Sequence, residues 1–173
     1  MTLFGCAFKT ELGYAAVRFN EHHEITGFLL PSSTQKSHDF LAWTEHKSFP
    51  QLEKAVVGYF AGKKTDFRKF SVSPADTSPF FQKVYAALRQ VKYGETVTYK
   101  ELAKKSGNPS AVRAVGSAMA HNPIPLIIPC HRVIQSDGGL GGFSAGGGVD
   151  LKKMMIDMEH PPAPPTANKK RAG

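Results

Sequence analysis

The chain has 173 residues, 41% of them hydrophobic, which suffices for one compact unit or two small ones with a shared core. Its net charge of +8, from 22 basic and 14 acidic residues, favours anionic partners such as nucleic acid, although Lys-rich faces are often simple solvated surface. No apolar run approaches membrane-spanning length and no cationic segment followed by an apolar core opens the chain, so a soluble protein is expected. In the first part, Tyr14 to Phe19 and Ile25 to Leu30 flank a polar turn and read as strands of a small sheet. Leu52, Ala55, Val56, Tyr59 and Phe60 then recur at helical spacing, which puts a helix over about 49–61 against that sheet, its aromatics in the core.

The polar, proline-broken stretch Ser71 to Ser78 reads as a linker. Beyond it, Phe80, Val84, Ala87 and Leu88 mark another amphipathic helix. Tyr99 to Ser106 forms a short helix, with Gly107 where a left-handed C-terminal cap belongs. A second helix is expected to start at once, with Asn108 as its cap, Pro109 in its first turn, and Val112, Val115 and Met119 on one apolar stripe. This is a helix-turn-helix pattern. Its opposite stripe, Ser110, Arg113, Ala114 and Ser117, is nearly bare, which suits close approach to a narrow groove better than base reading in a wide one. Taken alone, it could equally be an ordinary surface helix with one solvated arginine. The 161–173 segment, rich in proline and alanine with three cations, reads as a disordered tail. The predicted fold class is α/β (α+β): a small sheet-plus-helix domain over 1–70, a linker over 71–78, and a mostly helical domain with a helix-turn-helix over 79–160.

Chemistry points to Ile128-Pro129-Cys130-His131-Arg132-Val133. Pro123, Pro125 and Pro129 bias the preceding residues toward extended geometry, so Cys130 is held at an irregular place. A cysteine attacks as the thiolate, and His131 is the nearest base. On an extended chain, adjacent residues point to opposite faces, so contact needs a bend or a bridging water. The pair alone fits a buried inert cysteine beside a structural histidine as readily as a nucleophile.

Taken with Tyr93-Gly94-Glu95-Thr96-Val97-Thr98-Tyr99, Arg113-Ala114-Val115-Gly116, Asn122-Pro123 and Gly142-Phe143-Ser144, this segment closely resembles the O6-alkylguanine-DNA alkyltransferases, also called methylated-DNA-protein-cysteine methyltransferases. The resemblance runs from about Pro79 to Glu159. It implies DNA repair by a single displacement from guanine O6, or thymine O4, to Cys130, with self-inactivation, no metal and no cofactor. The implied partner is double-stranded DNA containing O6-alkylguanine, met by a monomer in the cytoplasm or, in a eukaryote, the nucleus. The helix from Asn108 to about Ala120 would lie in the minor groove with Ser110, Ala114 and Ser117 on its face, while Arg113 fills the stack vacated by the flipped nucleotide. Tyr99 would donate to guanine N3, and Asn122 would brace the turn. Backbone groups of Cys130 and Val133 would bond the base, and Ser144 would donate to O6. Phe143, Ala145 and Pro125 would border the alkyl pocket. A glutamate in the final helix would orient His131. Glu159 fits that role, with Asp157 as the alternative, because Ala145 to Asp150 is about two residues longer than the family pattern and Ala145 replaces a common glycine.

Other readings remain. A Cys-His-Glu trio also serves hydrolases, and a damage sensor binds alkylated DNA without repairing it; relatives of that kind carry another residue, commonly tryptophan, in place of Cys130. Some relatives hold a structural zinc, but Cys6, His22, His23 and His38 have poor spacing and only one thiol. Cys6 and Cys130 could pair, but thiol chemistry at Cys130 requires that they do not, which favours a reducing compartment. The Gly138 to Ser144 run lacks both phosphate-loop and dinucleotide patterns, so no nucleotide cofactor is expected.

Overall fold

The computed structural model describes residues 2–32, 45–74 and 77–160. Three strands, β1 (Leu3–Thr10), β2 (Gly13–Asn20) and β3 (Ile25–Ser32), form an antiparallel meander, and β4 (Glu45–His46) runs parallel to β1, giving the order β3-β2-β1-β4. The pairings Cys6 with Val17 and Phe8 with Ala15 set these four buried residues on one face. Helix α1 (Pro50–Phe60) starts at the helix-compatible Pro50 and buries Leu52, Val56, Tyr59 and Phe60. Phe49, just before it, meets Phe19 edge-on at 5.0 Å. Each large side chain so buried contributes about 1.5–3 kcal/mol.

Residues 71–73 of the expected linker continue the edge of this sheet, since Ser71 O accepts from Ile25 N at 2.9 Å and Ser73 N donates to Ile25 O at 2.8 Å. Helix α2 (Pro79–Leu88) follows, capped by Ser78, whose hydroxyl accepts from Phe81 N. Strand β5 (Val97–Thr98) pairs in parallel with β6 (Val133–Ile134). Helix α3 (Tyr99–Lys105) opens with a capping box between Thr98 and Glu101. It closes on Gly107 at φ +85°, with Asn108 N donating to Ala103 O and Gly107 N to Lys104 O, the paired bonds of a left-handed helix end.

Helix α4 spans Val112–Ala120 with Ala111 at its cap position, so it begins three residues later than a cap at Asn108 suggests. The Ser110 hydroxyl donates to Asn108 Oδ1 at 2.8 Å, which occupies the side chain expected to cap the helix. Asn108 to Ala111 therefore forms a separate turn, and Ser110 lies there rather than on the helix. Val115, Ala118 and Met119 are the buried stripe, and Val112 is exposed. Tyr85 ties α2 to α4 through a hydrogen bond from its hydroxyl to Ala118 O.

Helix α5 spans Gly148–Glu159. It is entered through a glycine turn, with Gly147 at φ +95° and Gly148 at φ +57°, and its last residue is Glu159. A single hydrophobic cluster joins the sheet, α1 and all the later helices. The expected tail lies outside the described residues.

Candidate active site

The segment before Cys130 is clamped on both sides. Asn122 Nδ2 donates to Ile128 O at 2.8 Å while its Oδ1 accepts from Ile124 N at 3.0 Å, which closes the loop on itself. Phe28 N of β3 donates to Pro123 O, fastening the loop to the sheet. Leu126 holds φ +73°, a conformation that costs roughly 1–3 kcal/mol, and persists because Ile124, Leu126, Ile127 and Ile128 are all fully buried. The run that the prolines are expected to hold extended is instead folded back at Leu126 and Ile127, where Ile128 N donates to Ile124 O at 2.9 Å. Cys130–Arg132 is one turn of 3-10 helix, with Arg132 N donating to Pro129 O. His131 therefore does not point away as on a strand; the turn sends its ring into the core.

There His131 is 0% exposed, and its Nε2 lies 2.7 Å from Glu159 Oε1. A carboxylate only accepts, so Nε2 carries the proton and Nδ1 keeps a lone pair. Nδ1 is buried and has no hydrogen-bond partner among the described residues. Glu159 collects four further bonds. Tyr59 Oη at 2.8 Å and Arg132 Nη2 at 3.0 Å donate to Oε1, and Arg132 Nε at 2.9 Å and Gly94 N at 3.1 Å donate to Oε2. Burial pushes Glu159 up, but the hydrogen bonds and charges of His131 and Arg132 outweigh it and hold the carboxyl at about 2. Burial dominates at His131 and lowers its pKa against the pull of Glu159. Asp157 sits on the opposite, exposed side of α5 and pairs with Lys153.

Cys130 lines two cavities. One, of about 620 Å³, is bordered by Tyr99, Gly116, Gly141 and Phe143; the other, of about 510 Å³, opens toward Phe28 and Leu29 of the sheet and is bordered by Pro125 and Ala145. Ser144 borders both. Burial raises the Cys130 thiol, countered by a hydrogen bond from Asn122, the charge of Lys152 and backbone N–H groups. Lys152 is fully buried and lowered to about 8 by that burial. Its Nζ donates to Val133 O at 2.6 Å and Gly142 O at 3.3 Å, tying the glycine loop to β6, and it stands 5.9 Å from the Tyr99 ring centre. Tyr99 is raised by burial and by the Cys130 charge, so its hydroxyl remains a donor. Gly141, at φ +70°, lets the loop pass this tyrosine; a Cβ there would come within 2.9 Å of Tyr99 Oη.

Of the residues singled out from sequence, Cys130, Tyr99, Phe143, Ser144, Ala145 and Pro125 surround the two cavities, and His131, Glu159 and Asn122 back them. Two differ in detail. Val133 has a buried side chain, its N–H donates to Cys130 O and its carbonyl accepts from Lys152, so its backbone groups already have partners. Ser144 donates to Ala120 O at 2.8 Å and must turn to meet a ligand. Arg113 and Ser117 are exposed on α4, with Ala114 half-buried between them. Sequence reasoning did not single out Tyr59, Arg132 or Lys152. Lys152 shares one helical face with Met155 and Glu159, all three buried, but a lysine there carries no signal that separates it from solvated surface. Cys6 is buried in β1 with its thiol raised to about 11, and His22 and His23 are exposed. His38 lies outside the described residues. Among the described residues no group of three or more His, Cys, Asp and Glu could hold a metal ion.

Residues 79–161 match the family described as "6-O-methylguanine DNA methyltransferase, DNA binding domain". The constitutive methylated-DNA–protein-cysteine methyltransferase of Bacillus subtilis is 41% identical over 160 residues, 87% of this chain and 92% of its own. This chain belongs to the methylated-DNA–protein-cysteine methyltransferase family. The fold agrees. The crystal structure of Mycobacterium tuberculosis O6-methylguanine methyltransferase superposes with a TM-score of 0.77 at 31% identity, covering 95% of this chain and 96% of that one. A structure of OGT from the same organism in complex with DNA gives 0.75 at 30% identity, over 91% and 93% of the two chains. In this family frame, Cys130 is the cysteine that lines the two cavities. No helix among the described residues is long and apolar enough to cross a membrane.

Proposed function

We propose that this chain repairs DNA by taking an alkyl group from O6 of guanine onto Cys130, once per molecule. The observation that carries the reading is Cys130 on the lining of two cavities, next in the chain to a buried His131 that pairs with Glu159 and whose Nδ1 has no partner among the described residues, so that it can receive a proton. The thiol proton passes to His131, directly or through water, and the sulfur attacks the alkyl carbon. The carbon–O6 bond breaks as the sulfur–carbon bond forms. Tyr99 donates toward N3 of the departing purine, so in net balance the proton lost by the thiol is gained by guanine. A thioether is a poor leaving group and no group here is placed to hydrolyse it, so the protein is consumed.

The target atom is hidden inside a duplex, so the nucleotide has to turn out, at a cost of a few kcal/mol. The exposed face of α4, small except for Arg113, suits a minor groove, and Arg113 is the side chain long enough to fill the vacated stack. Asn122 braces the turn beneath the base, and Ser144, once rotated, reaches O6. The protein acts as a monomer, needs a reduced thiol, and belongs in the cytoplasm or a nucleus. Peptide mass spectrometry after incubation with duplex DNA containing O6-methylguanine tests the reading. One methyl group on the peptide holding Cys130, and none in Cys130→Ser, is the expected result; unmodified Cys130 with bound DNA would favour the sensor instead.

A further inference from the structure

Tyr59 belongs to α1, in the N-terminal part of the chain, yet its hydroxyl ends inside the proton-accepting pair of the C-terminal part. It donates to Glu159 Oε1 at 2.8 Å and lies 3.4 Å from His131 Nε2, and the side chain is 0% exposed. The oxygen it approaches is the same one that receives His131 Nε2. We propose that Tyr59 is a positioning residue for the alkyl transfer, setting the basicity of the Glu159 oxygen that holds His131 and so the pH at which His131 becomes able to accept the thiol proton. This rests on the reading of Cys130 as the alkyl acceptor.

The physical argument concerns one oxygen with few lone pairs. A third donor on Oε1, beside His131 and Arg132, draws charge from the carboxylate and weakens its hold on an imidazolium. His131 is then more easily neutral at rest, the state in which Nδ1 can take a proton. Burial and the negative charge of Glu159 both push the Tyr59 hydroxyl far above its ordinary range, so it donates at every working pH and never competes for the proton. The other groups facing this pair act in known directions. Arg132 of the same turn and Lys152 of α5 disfavour a charged imidazole, while Glu159 favours it. Tyr93 meets Tyr59 edge-on at 6.0 Å but spends its hydroxyl on Met158 O, and Gly94 N donates to the other carboxylate oxygen. Among these groups, only Tyr59 and Arg132 share Oε1 with His131.

The test is single-turnover methyl transfer from a duplex oligonucleotide carrying one O6-methylguanine, at saturating DNA, from about pH 5 to 9. In Tyr59→Phe the ring and its packing remain while the donor is lost. The acid limb of the rate profile is expected to move to higher pH by about half a unit or more, with DNA affinity unchanged. A lower rate at every pH with an unmoved limb would show a packing role only and overturn the proposal. If the phenylalanine variant does not fold, 3-fluorotyrosine placed at position 59 keeps the side chain and strengthens the donor. The limb should then move to lower pH, and an unmoved limb would again overturn the proposal. A wild-type protein that acquires no methyl on Cys130 would instead defeat the functional reading itself.

Discussion

The two halves of the candidate machinery are built in opposite ways. Around Glu159, five donors converge on one carboxylate, and His131, Arg132 and Glu159 are all buried, so every side chain there has its orientation fixed by a partner. On α4, Arg113 and Ser117 stand in solvent. A buried, crowded site can hold a proton-transfer geometry that an exposed helix cannot, and an exposed helix can meet a large ligand that a buried site cannot. The contrast implies that chemistry and DNA affinity are separable by mutation.

The largest effect should come from Cys130→Ser, which removes the acceptor sulfur. Transfer should fall to background while duplex binding, measured by fluorescence anisotropy, stays near wild type. Lost binding would break the separation. Glu159→Gln comes next, with transfer expected to slow by about 10²-fold or more, as for loss of a general-base partner, again without comparable loss of binding. The same substitution reports on acid stability. Glu159 is lowered from an ordinary 4.5 to about 2, so its contribution, roughly 3 kcal/mol, is fully present above about pH 4.5 and is lost as pH falls toward 2. Thermal melts between those limits should fall more steeply for the wild type than for Glu159→Gln.

Arg113→Ala should sharpen the contrast from the other side. Losing one stacking cation costs about 1–2 kcal/mol, so repair of duplex DNA should weaken roughly five- to thirtyfold, with a much smaller effect on reaction with free alkylguanine base. Equal losses on both substrates would remove that role. Asp157→Asn should change almost nothing, within about 0.5 kcal/mol, because its ion pair with Lys153 is on the surface. Removing 161–173 should have the smallest effect on transfer, adding only a mild, salt-dependent loss of affinity from the absence of Lys169, Lys170 and Arg171.

What was legible in the sequence follows the range of the interactions. The end of α3 at Gly107 and the stripe of α2 are local and were readable from spacing. The start of α4 was not, because Asn108 and Pro109 fit a helix cap and a free-standing turn equally well until the Ser110 hydroxyl takes the Asn108 side chain. Cys130 and His131 stood out as a pair, but their geometry depended on a 3-10 turn that three prolines do not specify. Spacing along the last helix favours Glu159 over Asp157, and in the structure Glu159 meets His131 while Asp157 faces away and pairs with Lys153. Tyr59 is a hundred residues from Glu159, and nothing in its helical spacing separates it from a core aromatic. Lys152 is harder still. A lysine on a helix reads as solvated surface, and only the two carbonyls at its tip account for its burial.

The most direct test of the central claim is stoichiometry. With duplex DNA containing O6-methylguanine in large excess, the amount of methyl removed should rise to one per protein molecule and stop, with all of it on Cys130. Methyl removal that continues past one equivalent, or that leaves Cys130 free, would contradict the account.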